Sequence, residues 1–447
     1  MSKKTFKVKC IGLDDFGLGI VKVDNSTYFV NNLLPGEEAE ISTIYQYGKV
    51  KEVILEKRLT TSNDRIKPAC KYYPNCGGCQ LMHLKYEKQL EYKQKKVKDL
   101  IHKFAHLDVD VDKTIGLSDP TRFRNKVQKP VKLNNKKEII TGFYKPNSHD
   151  LVSISDCLIE TELSNKITNI LLKLFKKYHY RPYDEDRRSG DIRHILIKTS
   201  SFYNQALVTL VTTSHLKGIN NFSKELISIH KEIVGVVLNI NTRHTNVILG
   251  EKEIDVYGHK KIVDKLFDNN FLISSKSFYQ TNFKQVEALY KLAIDKAKLK
   301  DTDTVLDAYC GTGTIGLSLA SKVKRVVGVE IVKDAIVDAI SNAKNNNIKN
   351  ATFICDDCTK YLLSTKDKFD IIILDPPRKG STVEFINAAM RMKPRSIVYI
   401  SCDPVTLARD LNYFKEKYNI ESVTPVDMFP NSLHIETVVL LTKKDQK

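Results

Sequence analysis

One cysteine near the carboxyl end of the chain stands where a nucleophile can be built. Cys402 belongs to the stretch 401–410 (Ser-Cys-Asp-Pro-Val-Thr-Leu-Ala-Arg-Asp), which follows an apolar run typical of a buried strand. Asp403 is a typical helix N-cap and Pro404 a typical first helical residue. We therefore expect the thiol at a helix N-terminus, where the helix dipole lowers its pKa. A half-buried cysteine in a turn is the alternative.

A glycine loop supplies the second candidate, a cofactor site. The predicted strand 304–308 leads into 309–316 (Tyr-Cys-Gly-Thr-Gly-Thr-Ile-Gly), which has the GxGxxG spacing and opens a helix. Gly311 and Gly313 allow a sharp turn and a close approach of a ligand. A second predicted strand ends in Glu330, about 20 residues further on, where an acid binds ribose hydroxyls. NAD and S-adenosylmethionine share this geometry, so the loop leaves both open.

The remaining strands distinguish the two cofactors. The last two strands are joined only by residues 427–434, which favours antiparallel neighbours. A mainly parallel sheet with one reversed strand at its end is the methyltransferase arrangement. Asp375 follows the fourth strand, and ligands bind at the carboxyl ends of such strands. The seven predicted strands are 304–308, 325–329, 352–354, 370–374, 396–400, 421–426 and 435–441.

A cysteine cluster predicts a metal site in the middle of the chain. Cys70, Cys76 and Cys79 lie within ten residues, and Cys157 is the candidate fourth ligand. Four thiolates suit tetrahedral zinc or an iron–sulfur cluster. One CxxC pair with two single cysteines leans toward the cluster, but the spacing leaves both open.

The composition favours a polyanionic partner, and nucleic acid is the commonest one. The 447 residues carry a formal charge of +18. No apolar run is long enough to span a membrane, and the N-terminus has no signal-peptide core. We therefore expect a cytoplasmic protein without membrane contact. No obligate protein partner is evident, and we expect a monomer.

The order of the elements predicts an α/β multidomain protein. Residues 1–60 contain five short predicted strands, 8–11, 18–23, 27–30, 39–47 and 50–55, that fit a small β-barrel of the oligonucleotide-binding kind. Residues 61–270 form a central α+β domain, whose helix around 85–110 is expected against the catalytic domain. Residues 271–447 form the Rossmann-like methyltransferase domain. Two basic clusters, 122–126 and 187–194, are expected to grip phosphates or stack a base, with ordinary surface charge as the alternative.

With these motifs in place, the chain resembles the bacterial 23S rRNA branch of the RNA uracil-5-methyltransferase family, over essentially its whole length. That branch carries an N-terminal TRAM barrel and a cysteine cluster, which the tRNA-specific branch lacks. The decapeptide 401–410 is the most specific match. The other matching segments are 278–282, 307–313, 375–378 and 434–436, together with the four cysteines.

The resemblance implies methyl transfer from S-adenosylmethionine to C5 of a uridine in 23S rRNA. Cys402 is then the nucleophile that adds to uracil C6, and Glu436 is the base that removes the C5 proton. The resemblance also assigns a [4Fe-4S] cluster to Cys70, Cys76, Cys79 and Cys157. The implied cofactor contacts are Gln280, Tyr309, Gly311, Gly313, Glu330, Asp357 and Asp375, with Thr314 a departure from members that carry Asn.

Two rival classes remain at this point. An amino-methyltransferase would use Asp375 and the two prolines after it, but it usually has an aromatic residue where Arg378 stands. A non-catalytic iron–sulfur protein that binds RNA would not need Cys402, Glu436 and a cofactor loop together.

Overall fold

Three large sheets follow one another along the chain, and a two-stranded hairpin lies between the second and the third. The computed structural model describes residues 2–46 and 49–445. None of the helices in these residues is both long and apolar enough to cross a bilayer.

The N-terminal sheet contains all five expected strands. β1 pairs with both β2 and β4, which leaves β3 and β5 at the two edges. No ladder joins those edges in the described ranges, so a closed barrel is not confirmed. The first strand is much longer than the predicted run 8–11, and Tyr47, the end of the fourth predicted strand, lies outside the described residues. The bounds are β1 Ser2–Leu13, β2 Gly19–Val23, β3 Ser26–Val30, β4 Glu38–Gln46 and β5 Lys49–Arg58.

The central sheet has seven strands in the order β12-β11-β10-β9-β6-β7-β8. All neighbouring pairs are antiparallel except β10 with β11. Two helices pack their apolar faces on this sheet. The bounds are β6 Lys126–Leu133, β7 Ile139–Tyr144, β8 Leu151–Ser153, α2 Glu162–Lys177, β9 Ile192–Ser200, β10 Gln205–Thr212, α3 Ile219–Ile229, β11 Ile233–Ile240 and β12 Lys252–Gly258.

Two elements of the predicted central domain pack into the catalytic core. Helix α1 (Tyr86–Ala105) buries Val97 and Ile101 there. The hairpin β13 (Lys261–Leu266) and β14 (Asn269–Ser274) also belongs to that core, so residue 271 falls inside a strand. These elements therefore lie in the central part of the sequence but pack with the C-terminal domain.

The C-terminal sheet is the expected seven-stranded methyltransferase sheet, in the order β17-β16-β15-β18-β19-β21-β20. Only β21 is reversed, and it lies between β19 and the edge strand β20 rather than at the end. The parallel strands β15, β18 and β19 are buried on both faces, which explains their continuous apolar runs. The bounds are α4 Val286–Ala297, β15 Thr304–Ala308, α5 Thr314–Leu319, β16 Arg325–Glu330, α6 Lys333–Asn345, β17 Ala351–Cys355, α7 Cys358–Ser364, β18 Ile371–Leu374, α8 Val383–Arg391, β19 Ser396–Ser401, α9 Pro404–Phe414, β20 Tyr418–Val426 and β21 Glu436–Lys443.

Candidate active site

Cys402 lies between β19 and α9, as the sequence predicts. The carboxylate of Asp403 caps α9 by accepting hydrogen bonds from the backbone N–H groups of Val405 (2.9 Å) and Thr406 (3.1 Å). Pro404 opens the helix, where its missing N–H costs nothing. The junction therefore holds the thiol at the carboxyl edge of the parallel sheet.

The expected lowering of the Cys402 pKa is wrong. Burial first, and then the acids Glu436 and Asp375, raise the pKa of the thiol to about 12, while Arg378 opposes them. Desolvation and two nearby acids outweigh the end of a helix dipole, whose contribution is smaller. The protonated thiol is thus the resting form at neutral pH.

Glu436 begins β21, beside the strand that delivers Cys402. The register pairs Ser401 with Thr437 in antiparallel fashion, so the two candidate catalytic residues lie at the same edge, as expected. The Glu436 side chain is buried, and its Oε2 has no hydrogen-bond partner among the described residues. Burial, and then Asp375, raise the pKa of Glu436 well above its ordinary value. Burial likewise raises the pKa of Asp375 to about 7, so this pair retains a proton.

A cavity of about 850 Å³ joins these groups to the predicted cofactor residues. Cys402 and Glu436 both border it. So do six of the seven predicted cofactor residues, namely Gln280, Tyr309, Gly311, Glu330, Asp357 and Asp375.

Gly313 is the exception and has a structural reason to be glycine. Its φ is +77°, and a Cβ there would lie 2.8 Å from the ring of Phe353. Gly311, by contrast, has φ +53° with open space where a Cβ would stand, so the backbone of the loop faces the cavity. This open cradle fits a ligand that lies against the loop.

The acids on the cofactor side are held by backbone N–H groups. Glu330 accepts from Gly311 (3.2 Å) and Val332 (2.9 Å), which fixes its carboxylate at the end of β16 with lone pairs left for hydroxyl groups. Asp357 caps α7 through Thr359 and Lys360. Its neighbour Asp356 does not border the cavity, which favours Asp357 of the two.

Several residues that border the cavity were not named individually as site residues. Phe278 is 59% exposed, an unusual state for a large apolar ring. Arg124 comes from the basic cluster 122–126, which Asn125 anchors by donating to the Thr281 and Gln280 carbonyls (2.9 and 3.2 Å). The alternation of aromatic and basic residues in that cluster is the feature of the sequence that could have indicated these cavity residues. Tyr290 and Arg378 also border the cavity.

The four predicted metal ligands surround a separate cavity. Cys70, Cys76, Cys79 and Cys157 all border it, among apolar side chains that include Phe143. Within residues 2–46 and 49–445, no three His, Cys, Asp or Glu side chains converge closely enough for a single metal ion. The predicted metal site is therefore not confirmed, although the four cysteines do come together.

Comparison with known proteins defines the class. The family model "tRNA (Uracil-5-)-methyltransferase" matches residues 85–444. An uncharacterised RNA methyltransferase of Clostridium tetani is 40% identical, with 98% of this chain and 96% of the relative covered. One of Staphylococcus aureus is 40% identical, with 97% of each covered. The crystal structure of the Pyrococcus abyssi tRNA (uracil-54, C5)-methyltransferase with S-adenosyl-L-homocysteine is 25% identical, with a TM-score of 0.77 and 98% and 100% coverage.

The fold and the cavity are thus those of an S-adenosylmethionine-dependent RNA methyltransferase. The chain belongs to the tRNA (uracil-5-)-methyltransferase family.

Proposed function

We propose that this protein transfers a methyl group from S-adenosylmethionine to C5 of a uridine in 23S rRNA, with Cys402 as nucleophile and Glu436 as base. One observation carries the proposal. A thiol, the predicted cofactor residues and a buried carboxylate border the same cavity, and Oε2 of that carboxylate has no partner among the described residues. An amino-methyltransferase needs neither Cys402 nor Glu436.

The first step is addition to the uracil ring. Cys402 gives up its proton to the Asp375–Glu436 pair, whose raised pKa values suit a proton acceptor and which borders the same cavity. Arg378 favours the thiolate that results. A bond forms between Sγ and C6, and the electron pair of the C5–C6 double bond moves toward C5 and O4.

The later steps return the enzyme to its starting state. C5 takes the methyl group as the sulfur–methyl bond of the donor breaks, leaving S-adenosylhomocysteine. Glu436, after it has lost its proton to solvent, removes the C5 proton. The electrons of that C–H bond re-form the double bond, and the C6–Sγ bond breaks to release Cys402 as a thiolate, which takes back a proton from the Asp375–Glu436 pair. Phe278, exposed at the cavity, offers a face on which the target base can stack.

The cysteine quartet fits a [4Fe-4S] cluster better than it fits a single ion. Four thiols around one mostly apolar cavity, with no tight three-residue group in the described part of the chain, match a bulky inorganic core. All four ligands are protein thiols, which leaves no open coordination site, so the cluster would stabilise the fold. Between Cys76 and Cys79, Gly77 and Gly78 border the active-site cavity, so the same loop would shape the substrate entrance.

Transfer RNA is the second candidate substrate. The preference for rRNA rests on the N-terminal module and the cysteines, which the resemblance attributes to the rRNA branch. However, the tRNA enzyme of Pyrococcus abyssi matches 98% of this chain, so it extends across the N-terminal module as well. Mapping 5-methyluridine in 23S rRNA and tRNA from a strain that lacks the gene separates the two. A missing rRNA site supports the proposal, and a missing tRNA site alone contradicts it.

Glu436→Gln tests the mechanism. The carboxamide has nearly the same shape, so addition and methyl transfer can proceed while proton removal stalls. We expect methylated RNA to remain attached to Cys402 on a denaturing gel, with the label coming from the methyl group of the donor. The double variant Glu436→Gln/Cys402→Ala is the matched control and should give no adduct. Turnover at the wild-type rate would mean that another residue, such as Asp375, is the base.

A further inference from the structure

A second large cavity, about 960 Å³ in volume, lies at the far end of the central sheet. It is bounded by the end of β6, the loop 181–190, the start of β9 and the loop 241–250. Strand β6 runs from Lys126, next to the active-site residue Arg124, to Lys132 at this cavity. Six steps of about 3.3 Å place the two ends of that path roughly 20 Å apart. We refer to the cavity as the distal groove.

The charges around the distal groove are balanced. Three cationic side chains are matched by three carboxylates, so the groove has no excess of positive charge for an RNA backbone. The same balance disfavours a divalent cation, which needs carboxylates without competing cations. The six residues are Lys132, Arg188, Arg193, Asp184, Glu185 and Asp186.

Several of these polar groups lack partners within the described part of the chain. The side chains of Asp186 and Arg188, two residues apart, form neither an ion pair nor a hydrogen bond there. Arg193 is only 6% exposed, and its Nε has no acceptor among residues 2–46 and 49–445. The Nδ1 atom of His194 is also buried without a partner in these residues. Donors and acceptors are therefore both available.

Aromatic rings supply flat surfaces beside these groups. The guanidinium of Arg193 lies over the buried ring of Tyr183, 5.0 Å from its centre. Lys132 Nζ lies 4.8 Å from the centre of the ring of Tyr144, which is only partly buried and can stack a base on its other face. Rings, cations and carboxylates together are what an unstacked base requires, since it stacks on one face and hydrogen-bonds at its edges.

We propose that the distal groove binds an unstacked guanine of the RNA substrate, away from the uridine that is methylated. Guanine presents acceptors at O6 and N7, which arginine recognises, and N–H donors at N1 and N2, which a carboxylate accepts. Arg188 and Asp186 offer this pair of partners without breaking an existing contact. The inference rests on the proposed function in taking RNA as the substrate, and it adds a specificity site that the chemistry itself does not need.

Calorimetric titration with guanosine 5′-monophosphate tests the proposal. The full chain is first saturated with S-adenosylhomocysteine, so that the nucleotide cannot occupy the cofactor part of the catalytic cavity. We expect saturable binding of one nucleotide, with the adenosine and uridine monophosphates at least about tenfold weaker. Asp186→Asn and Arg188→Gln should each weaken binding roughly tenfold, because each removes one edge contact. Asp268→Asn and Arg391→Gln, exposed and outside the groove, are the matched controls.

The outcomes separate this proposal from the proposed function. Absence of saturable binding, or binding that both groove variants leave unchanged, overturns the distal site. A chain that binds the nucleotide at the groove but methylates no RNA supports the site and refutes the function. In methylation assays, the two groove variants should raise KM for RNA roughly tenfold while kcat stays the same.

Discussion

Two sites in this chain contain thiols with raised pKa values, but the groups around the thiols differ. Burial raises the pKa of Cys402 to about 12 and that of Cys157, in the quartet, to about 12 as well. At Cys79 the other quartet cysteines raise the pKa further after burial. Around Cys402 the same effect comes from Glu436 and Asp375. The thiols of the quartet thus face one another and Glu160, whereas Cys402 faces two acids and, among the described residues, no second thiol.

The nearby carboxylates differ in the same way. Glu160, beside the quartet, forms an ion pair with Lys129, with 2.7 Å between Oε2 and Nζ and both side chains fully buried. Glu436 forms no such pair in the described ranges, and neither its Oε2 nor the Oε1 of Glu160 has a hydrogen-bond partner there. Burial raises the pKa of both carboxyl groups, but Lys129 opposes that rise at Glu160, whereas Asp375 adds to it at Glu436. The groups around the cysteines, more than the cysteines themselves, distinguish a site for chemistry at Cys402 from a structural site at the quartet.

Cys402→Ala should give the largest effect and affect catalysis alone. Without Sγ no bond to C6 can form, so we expect methylation to fall by on the order of 10⁴-fold or more. Affinity for RNA and cofactor should change little, because phosphate contacts and the glycine loop remain. Single-turnover assays with labelled S-adenosylmethionine, together with calorimetric binding, measure both quantities.

The melting temperature sharpens this test. Cys402 is half-buried at a helix start, so the alanine variant should melt within a few degrees of the parent. Residual methylation within about tenfold of the parent would show that the thiol is not the nucleophile.

Cys79→Ser should have the opposite profile. If the quartet holds a cluster, losing one ligand removes metal-binding free energy from folding, a loss of more than about 4 kcal/mol. We expect the protein made anaerobically to lose iron and acid-labile sulfide, and its melting temperature to fall by on the order of 10 °C. Cys355→Ser, at an exposed cysteine, is the matched control. A parent protein without iron and sulfide, and a variant with unchanged melting, would reduce the quartet to a packing cluster.

The parallel sheet and its functional edge were predictable because strand ends and loops follow local rules. Runs such as Ile371–Leu374 are apolar throughout since both faces are covered, and Cys402, Asp375 and Glu330 each follow such a run. The antiparallel placement of Glu436 followed from the short connection before it. Its role came only from resemblance, because a carboxylate at a strand start is ordinarily exposed.

What the sequence could not supply depends on distant contacts. Lys93 gave no sign that it would be buried against Asp427, 2.6 Å from Nζ to Oδ1, which ties α1 to the loop before Glu436. The prediction of a lowered Cys402 pKa was wrong for the same reason, because burial and two acids from other strands raise that pKa. Strand β21 also lies between β19 and β20 in the sheet, a strand order that local sequence patterns do not encode.

The smallest effect is expected from the same substitution, Glu to Gln, at Glu160 and at Glu436. Glu160→Gln leaves Lys129 buried without a counter-charge, which should cost about 3–5 kcal/mol of unfolding free energy. Glu436→Gln should instead stabilise the fold at pH 8. The pKa of Glu436 is raised in the native state, so above its ordinary value of 4.5 the native state binds more protons than the unfolded chain. Stability therefore falls as pH rises, and the carboxamide removes that loss.

Thermal melts of both variants at pH 5 and pH 8 measure these signs. For Glu436→Gln the gain over the parent should be small at pH 5 and larger at pH 8, about 2–4 °C for each kcal/mol. Glu160→Gln should melt below the parent at both values, because the buried Lys129 loses its counter-charge at either pH. If both variants were destabilised equally at pH 8, the two carboxylates would have equivalent partners. The distinction between the two sites would then fail, since it depends on Glu160 having a buried counter-charge that Glu436 lacks in the described part of the chain.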